Sequence, residues 1–146
     1  MKIEVDRKYL TYADMEFDAL SCVRCELCDT RKNVVLCDGT LDAKVMVIGE
    51  APGASEDEQG KPFVGRSGQL LIKLFSQIGI NREEIYIANV LKCRPPENRD
   101  PSRIEISQCS PFLQAQINFV SPKVIVPVGN FASKYILSTK EGITKI

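Results

Sequence analysis

Val45-Met46-Val47-Ile48-Gly49-Glu50-Ala51-Pro52-Gly53 is the stretch on which the fold turns. Four consecutive apolar residues running into glycine are too few for a helix and apolar on both faces, the pattern of a strand inside a parallel sheet. Two further segments repeat it. Ile85-Tyr86-Ile87-Ala88 leads into Asn89, and Val124-Ile125-Val126-Pro127-Val128 leads into Gly129-Asn130. Between the first two, Gly68–Ile78 carries Leu70, Leu71, Leu74 and Phe75 at helical spacing. Between the second and third, Cys109, Phe112, Leu113, Ile117 and Val120 mark one helix face. Asp100 reads as the N-cap of that helix, with Pro101 in its first turn, and Pro111 predicts a kink or break. A short helix around Tyr12–Leu20, capped near Thr11, precedes the sheet, and another runs through Leu137. Strands alternating with helices predict an α/β fold with a parallel sheet and right-handed crossovers. Ligands of such sheets bind at the carboxyl ends of the strands, where Gly49–Gly53, Asn89 and Gly129-Asn130 converge.

The 146 residues suit a single domain, 1–146, with 44% hydrophobic and 26% charged residues. No apolar run is long enough to span a bilayer, and Met1–Asp6 lacks the apolar core of a signal peptide, so a cytoplasmic protein with no membrane partner is expected. The 19 basic and 19 acidic side chains cancel, so no overall basic field advertises a nucleic-acid partner. Basic residues do gather locally: Lys92, Arg94, Arg99 and Arg103 stand against Glu97 and Asp100.

Six cysteines and no histidine narrow the chemistry further. A reducing compartment favours metal binding over disulfides. The lack of histidine excludes His-ligated zinc, Ser-His-Asp triads and Cys-His nucleophiles from these residues. Cys22-x2-Cys25 can grip a metal centre from one tight turn, and Cys93 and Cys109 complete a four-thiolate set. Such a set suits an all-thiolate zinc site or a [4Fe–4S] cluster. Zinc ribbons pair two C-x2-C knuckles and the second pair here is not one, which favours iron–sulfur. Cys28 and Cys37 are read as free thiols.

The segment from Gly49 to Gly53, with Asp57, Gly60, Pro62-Phe63-Val64-Gly65 and Gly68, is rich in glycine after a strand and lets backbone approach a ligand. It matches neither a dinucleotide fingerprint nor a phosphate loop. A carboxylate at Glu50 and an aromatic ring at Phe63 suit a small flat ligand.

Val47-Ile48-Gly49-Glu50-Ala51-Pro52-Gly53, Glu56-Asp57, Gly60 and Pro62-Phe63-Val64-Gly65-Arg66-Ser67-Gly68-Gln69-Leu70-Leu71 together resemble the first motif of family 4, iron–sulfur uracil-DNA glycosylases. Asn89-Val90-Leu91-Lys92-Cys93-Arg94-Pro95-Pro96, Cys22-Val23-Arg24-Cys25-Glu26-Leu27 and the four-cysteine spacing are similar to that family as well. The resemblance implies a three-layer α/β/α sandwich around a four-stranded parallel sheet, and a structural [4Fe–4S] cluster on Cys22, Cys25, Cys93 and Cys109. It implies hydrolysis of the N-glycosidic bond of uracil in DNA, for base excision repair. The backbone of Gly49, Glu50 and Ala51 would line the uracil pocket, Phe63 would stack on the flipped base, and Asn89 would read its Watson–Crick edge. Glu50 would act catalytically, orienting water or stabilising the cationic sugar.

The resemblance breaks at the end of the chain. Family members go on to a further strand and a His-Pro motif whose histidine contacts uracil O2, whereas this sequence ends at Thr144-Lys145-Ile146. Losing such a donor costs about a hundred- to a thousandfold in rate. The expectation is a glycosylase truncated before that strand, with three strands and Val124–Val128 as an exposed apolar edge. A separate C-terminal fragment or a homodimer is the corresponding partner expectation. The alternatives are a relative that binds uracil-containing or single-stranded DNA without cleavage, and a cluster-bearing partner subunit.

Overall fold

The computed structural model describes residues 9–146; Met1–Asp6, read above for a signal peptide, lie outside the described residues. The central sheet holds β1 (Asp38–Gly39), β2 (Val45–Gly49), β3 (Tyr86–Asn89) and β4 (Val124–Pro127) in the order β1-β3-β2-β4. The three strands expected from the sequence pair in parallel: Ile48 faces Ala88 and Pro127, and Gly49 faces Asn89. The fourth strand corrects the expectation of three. β1 runs antiparallel to β3, pairing Asp38 with Ile87 and Gly39 with Tyr86, so the sheet is mixed. Two residues leave no periodic pattern to read. Gly39 stands at φ +106°, and an added Cβ would lie 1.8 Å from the Ile85 carbonyl oxygen, so only glycine fits that turn.

Alternation along the strands assigns the two faces of the sheet. Met46, Ile48, Tyr86 and Ala88 pack with Leu113 and Val120 of α5 (Arg103–Val120) and with Ala132 and Ile136 of α6 (Asn130–Leu137). Val47, Ile85 and Ile87 pack on the other face with Leu71, Ile72 and Phe75 of α4 (Arg66–Gln77). The result is a three-layer α/β/α sandwich. Met46, Val47, Ile48, Ile87 and Ala88 are fully buried, each of the larger ones contributing about 1.5–3 kcal/mol. α1 (Tyr12–Leu20) covers α5 through Met15 and Ala19 against Phe112 and Ala115, and Thr11 caps it with a reciprocal Thr11–Asp14 capping box. α2 (Leu27–Thr30) follows the first cysteines, and α3 (Ala54–Gln59) lies inside the stretch read as loop.

α5 departs from its expected start. Ser102, not Asp100, is the N-cap, accepting from the Glu105 backbone N–H while the Glu105 carboxylate accepts from Ser102 N–H. Nor does Pro111 break the helix, which continues unbroken from Arg103 to Val120. Proline at 111 withdraws the N–H that would meet the Ser107 carbonyl, and Ser110 Oγ donates to that oxygen at 3.4 Å instead. β4 sits at the sheet edge beside β2 alone, with Val124 exposed, as the sequence foretold.

Candidate active site

Glycine ends β2 and asparagine ends β3 side by side, so both strands open at one place. Gly49, Glu50, Ala51, Phe63 and Asn89 line one cleft of about 200 Å³ there, with Glu56, Ser67, Gly68 and Val128. All five pocket residues expected from the sequence are thus brought together. Gly129-Asn130 is not part of the lining: Asn130 is exposed and its Oδ1 accepts from Ile143 N–H, leaving Val128 to close the β4 side.

Close approach explains the glycines. A Cβ on Gly49 would fall 2.4 Å from Asn89 Oδ1 and 2.6 Å from Phe63 Cζ, and one on Gly68 would fall 2.3 Å from the Phe63 carbonyl carbon. Phe63 itself holds the left-handed backbone at φ 53°, unusual for a bulky residue. Arg82 keeps it there, its guanidinium donating to the Phe63 carbonyl at 3.0 Å and to the Pro62 carbonyl at 2.5 Å while its Nε meets Asp38 Oδ2 at 2.8 Å. Glu56 fastens the opposite wall: its carboxylate accepts from the N–H groups of Gly53, Val64 and Gly65 at 3.1, 2.9 and 2.6 Å. The Asn89 side chain is 3% exposed, and its amide has no hydrogen-bond partner among the described residues. A nearly buried amide kept free at a cleft wall is a recognition group in waiting. Glu50 is half-buried, and burial followed by the nearby Asp100 carboxylate holds its pKa above the usual carboxylate range.

The cysteines assemble a second concavity. Cys22, Cys25, Cys28, Cys93 and Cys109 line one cavity together with Arg31 and Lys92. All are free thiols. Two N–H donors point at sulfur: Lys92 N–H at Cys109 Sγ (3.3 Å) and Arg31 Nη1 at Cys93 Sγ (3.4 Å). Burial raises the Cys93 thiol and pushes Cys109 up to about 12, so both favour the protonated form. No three His, Cys, Asp or Glu side chains among the described residues converge on a single ion. Cys28, read as free, joins the other thiols; Cys37 instead contacts the Tyr12 hydroxyl at 3.1 Å outside this lining.

A family model for the uracil DNA glycosylase superfamily matches residues 37–145. The chain belongs to this superfamily. The type-4 uracil-DNA glycosylase of Sulfurisphaera tokodaii is 47% identical over 122 residues, 83% of this chain and 56% of that one. Those of Archaeoglobus fulgidus and Thermotoga maritima are 44% and 47% identical, covering 86% of this chain in both cases and 63% and 66% of their own lengths. The chain therefore spans between about half and two thirds of these curated glycosylase relatives. Among the described residues no helix is long and apolar enough to cross a membrane.

Several parts of this site escaped sequence reasoning. The basic run around Lys92 is not one surface: Lys92 is 1% exposed, and Arg99 is engaged bidentately by Glu105 at 2.8 Å, leaving Arg94 and Arg103. Burial lowers the Lys92 ammonium to about 8. Asp57 ties the glycine-rich segment to the cysteine loop, accepting from Lys32 and Asn33 N–H at 2.9 and 3.1 Å. Glu56-Asp57 stood in the recognised motif, but its two carboxylates serve backbone amides, a role that spacing does not reveal.

Proposed function

We propose that this chain hydrolyses the N-glycosidic bond of uracil in DNA, as a type-4 uracil-DNA glycosylase. The observation that carries the reading is the free Asn89 amide facing the Gly49 backbone and the Phe63 ring across one cleft. A base must leave the duplex stack to enter such a cleft, at a cost of a few kcal/mol, and stacking on Phe63 with hydrogen bonds to Asn89 returns that energy. An amide offers a donor and an acceptor, matching uracil O4 and N3–H; cytosine presents the reverse order and leaves buried groups unpaired. In the reaction the C1′–N1 bond breaks, uracil departs with the electron pair, and a water oxygen bonds to C1′ and loses a proton. The Glu50 carboxylate, at the mouth of β2, orients that water or stabilises the cationic sugar.

Cys22, Cys25, Cys93 and Cys109 would hold a [4Fe–4S] cluster, which supplies cross-links between the Cys22–Cys25 turn, the segment after β3 and α5. Four thiols on one cavity, with N–H groups directed at two sulfurs, support a thiolate-held centre, and the lack of a second C-x2-C knuckle favours iron–sulfur over zinc.

The test is uracil release from a single-stranded oligonucleotide by protein purified without oxygen, its visible spectrum recorded. Alkali-sensitive breaks at uracil that disappear in Phe63→Ala and Asn89→Ala support the enzyme. Binding of the oligonucleotide without breaks, by a brown protein, points instead to recognition without cleavage by these residues, which contain no histidine to meet uracil O2.

A further inference from the structure

Lys92 is the one lysine on the sheet side of the cysteine cavity, and its placement is costly. Its side chain is 1% exposed, and the ammonium has no carboxylate partner among the described ion pairs. It donates to two neutral oxygens, the Asn89 carbonyl at 2.7 Å and Gln116 Oε1 at 2.5 Å. Gln116, fully buried on α5, is fixed in turn: its Nε2 donates to the Leu36 carbonyl at 3.0 Å and to the Tyr86 hydroxyl at 2.8 Å, and that hydroxyl lies 2.8 Å from the Tyr12 hydroxyl. Desolvation disfavours a buried cation that lacks a counter-charge. Stability alone therefore gives no reason for a lysine here.

Geometry gives one. The ammonium grips the peptide of Asn89, whose amide is the free polar group of the cleft. The backbone N–H of the same lysine points at Cys109 Sγ at 3.3 Å, and Lys92 lines the cysteine cavity. One residue thus lines the cysteine cavity and bonds a residue of the cleft, at the point where the chain passes from β3 to Cys93. Val90 and Leu91 N–H bond the Gly49 and Glu50 carbonyls at 2.9 and 3.0 Å, so a shift of this segment moves both walls of the cleft together.

We propose that Lys92 is a positioning residue that fixes the Asn89 edge of the cleft from the cysteine side. The proposal rests on the reading of Asn89 as the base-contacting group, and its tests separate the two.

Lys92→Met keeps the volume and removes the charge; Lys92→Arg keeps the charge; Gln116→Met leaves the ammonium but removes its second anchor. Each protein is purified anaerobically and its iron content, its affinity for free uracil by calorimetry, its kcat and KM on a uracil oligonucleotide, and its backbone hydrogen exchange are measured. Lys92→Met is expected to keep its iron, to bind uracil about tenfold more weakly with KM rising more than kcat falls, and to exchange faster at residues 89–91 only. Lys92→Arg is expected to recover part of the affinity, and Gln116→Met to lose about threefold. The proposal is overturned if Lys92→Met matches wild type in uracil affinity and in exchange at residues 89–91, or if iron is lost in step with affinity. Failure of the glycosylase reading looks different: wild type itself neither binds uracil nor cuts. The exchange at residues 89–91 then still decides whether Lys92 holds this segment.

Discussion

The Asn89 cleft and the cysteine cavity adjoin yet are built in opposite ways. Ala51 of the cleft packs in one apolar cluster with Leu27, Leu91, Cys25, Cys93 and Cys109. On the cleft side, protein hydrogen bonds complete the geometry: Glu56 meets three amides, Arg82 meets two carbonyls, and the glycines admit the Phe63 ring and the Asn89 amide at contact distance. The cysteine side has five thiols around a space, with two N–H donors directed at sulfur and burial holding Cys25, Cys93 and Cys109 protonated. The cleft is preorganised by the chain; the cavity is a set of free thiols, the proposed donors of a bound centre. Substitutions in the cleft are therefore expected to change function at nearly constant stability, while those in the cavity change both.

The largest effect is expected from Cys109→Ser. Metal-site binding energy is also folding energy, so loss of one ligand should cost a few kcal/mol and lower the thermal midpoint by roughly 10 °C in a chain of this size. Iron per chain should fall alongside. Wild-type melting in a variant without iron would break the contrast, because the cavity would then be as self-sufficient as the cleft. Asn89→Ala sits at the other pole. Removing two directional hydrogen bonds of about 1–1.5 kcal/mol each costs on the order of a hundredfold in kcat/KM for uracil. Its midpoint should stay close to wild type, since the amide has no hydrogen-bond partner among the described residues. Melting curves recorded beside kinetics check both halves of the comparison.

The two regions were also unequally legible in the sequence. Parallel strands, their glycine and asparagine termini, and Phe63 could be read because a buried strand and a glycine-rich turn leave local patterns. Cys22, Cys25, Cys93 and Cys109 were found by residue type and spacing, and the structure places them around one cavity. Long-range pairings of ordinary polar residues could not be read. Lys92 belonged to a basic run and proved to be interior; Gln116, not singled out in the sequence, is fully buried; Arg82 reaches back to Pro62 and Phe63 from a turn after α4. Each has a partner far along the chain that only the fold brings opposite it: Gln116 for Lys92, Leu36 and Tyr86 for Gln116, Pro62 and Phe63 for Arg82. β1 failed for a related reason: two residues become a strand only because β3 offers an unpaired edge.

Glu56→Gln is expected to fall between the poles. The neutral amide can still occupy the space but loses charge-assisted bonds to Gly53, Val64 and Gly65, at a cost of about 2 kcal/mol. That lowers the midpoint by several degrees and raises KM for a uracil oligonucleotide, because the loop that carries Phe63 loosens. Unchanged KM with lowered stability would show that the clip holds the fold and not the pocket.

The smallest effect is a pH displacement at Glu50. Burial and Asp100 raise its pKa above the usual carboxylate range. A carboxyl whose pKa is raised on folding holds its proton more tightly folded than unfolded. It therefore favours the fold below its unfolded value, and this contribution is lost as pH rises through the folded value. For catalysis the sign is opposite, since the carboxylate is the useful form and activity should fall as pH drops through that same raised value. The acid limb of kcat should accordingly lie above the pH at which an ordinary glutamate titrates. Asp100→Asn should move the limb to lower pH, and Glu50→Gln should abolish it while lowering the plateau. An acid limb that stays in place in Asp100→Asn would mean that burial alone sets the Glu50 carboxyl. One that persists in Glu50→Gln would assign the titration to another group and remove Glu50 from the chemistry, leaving the cleft a site of recognition.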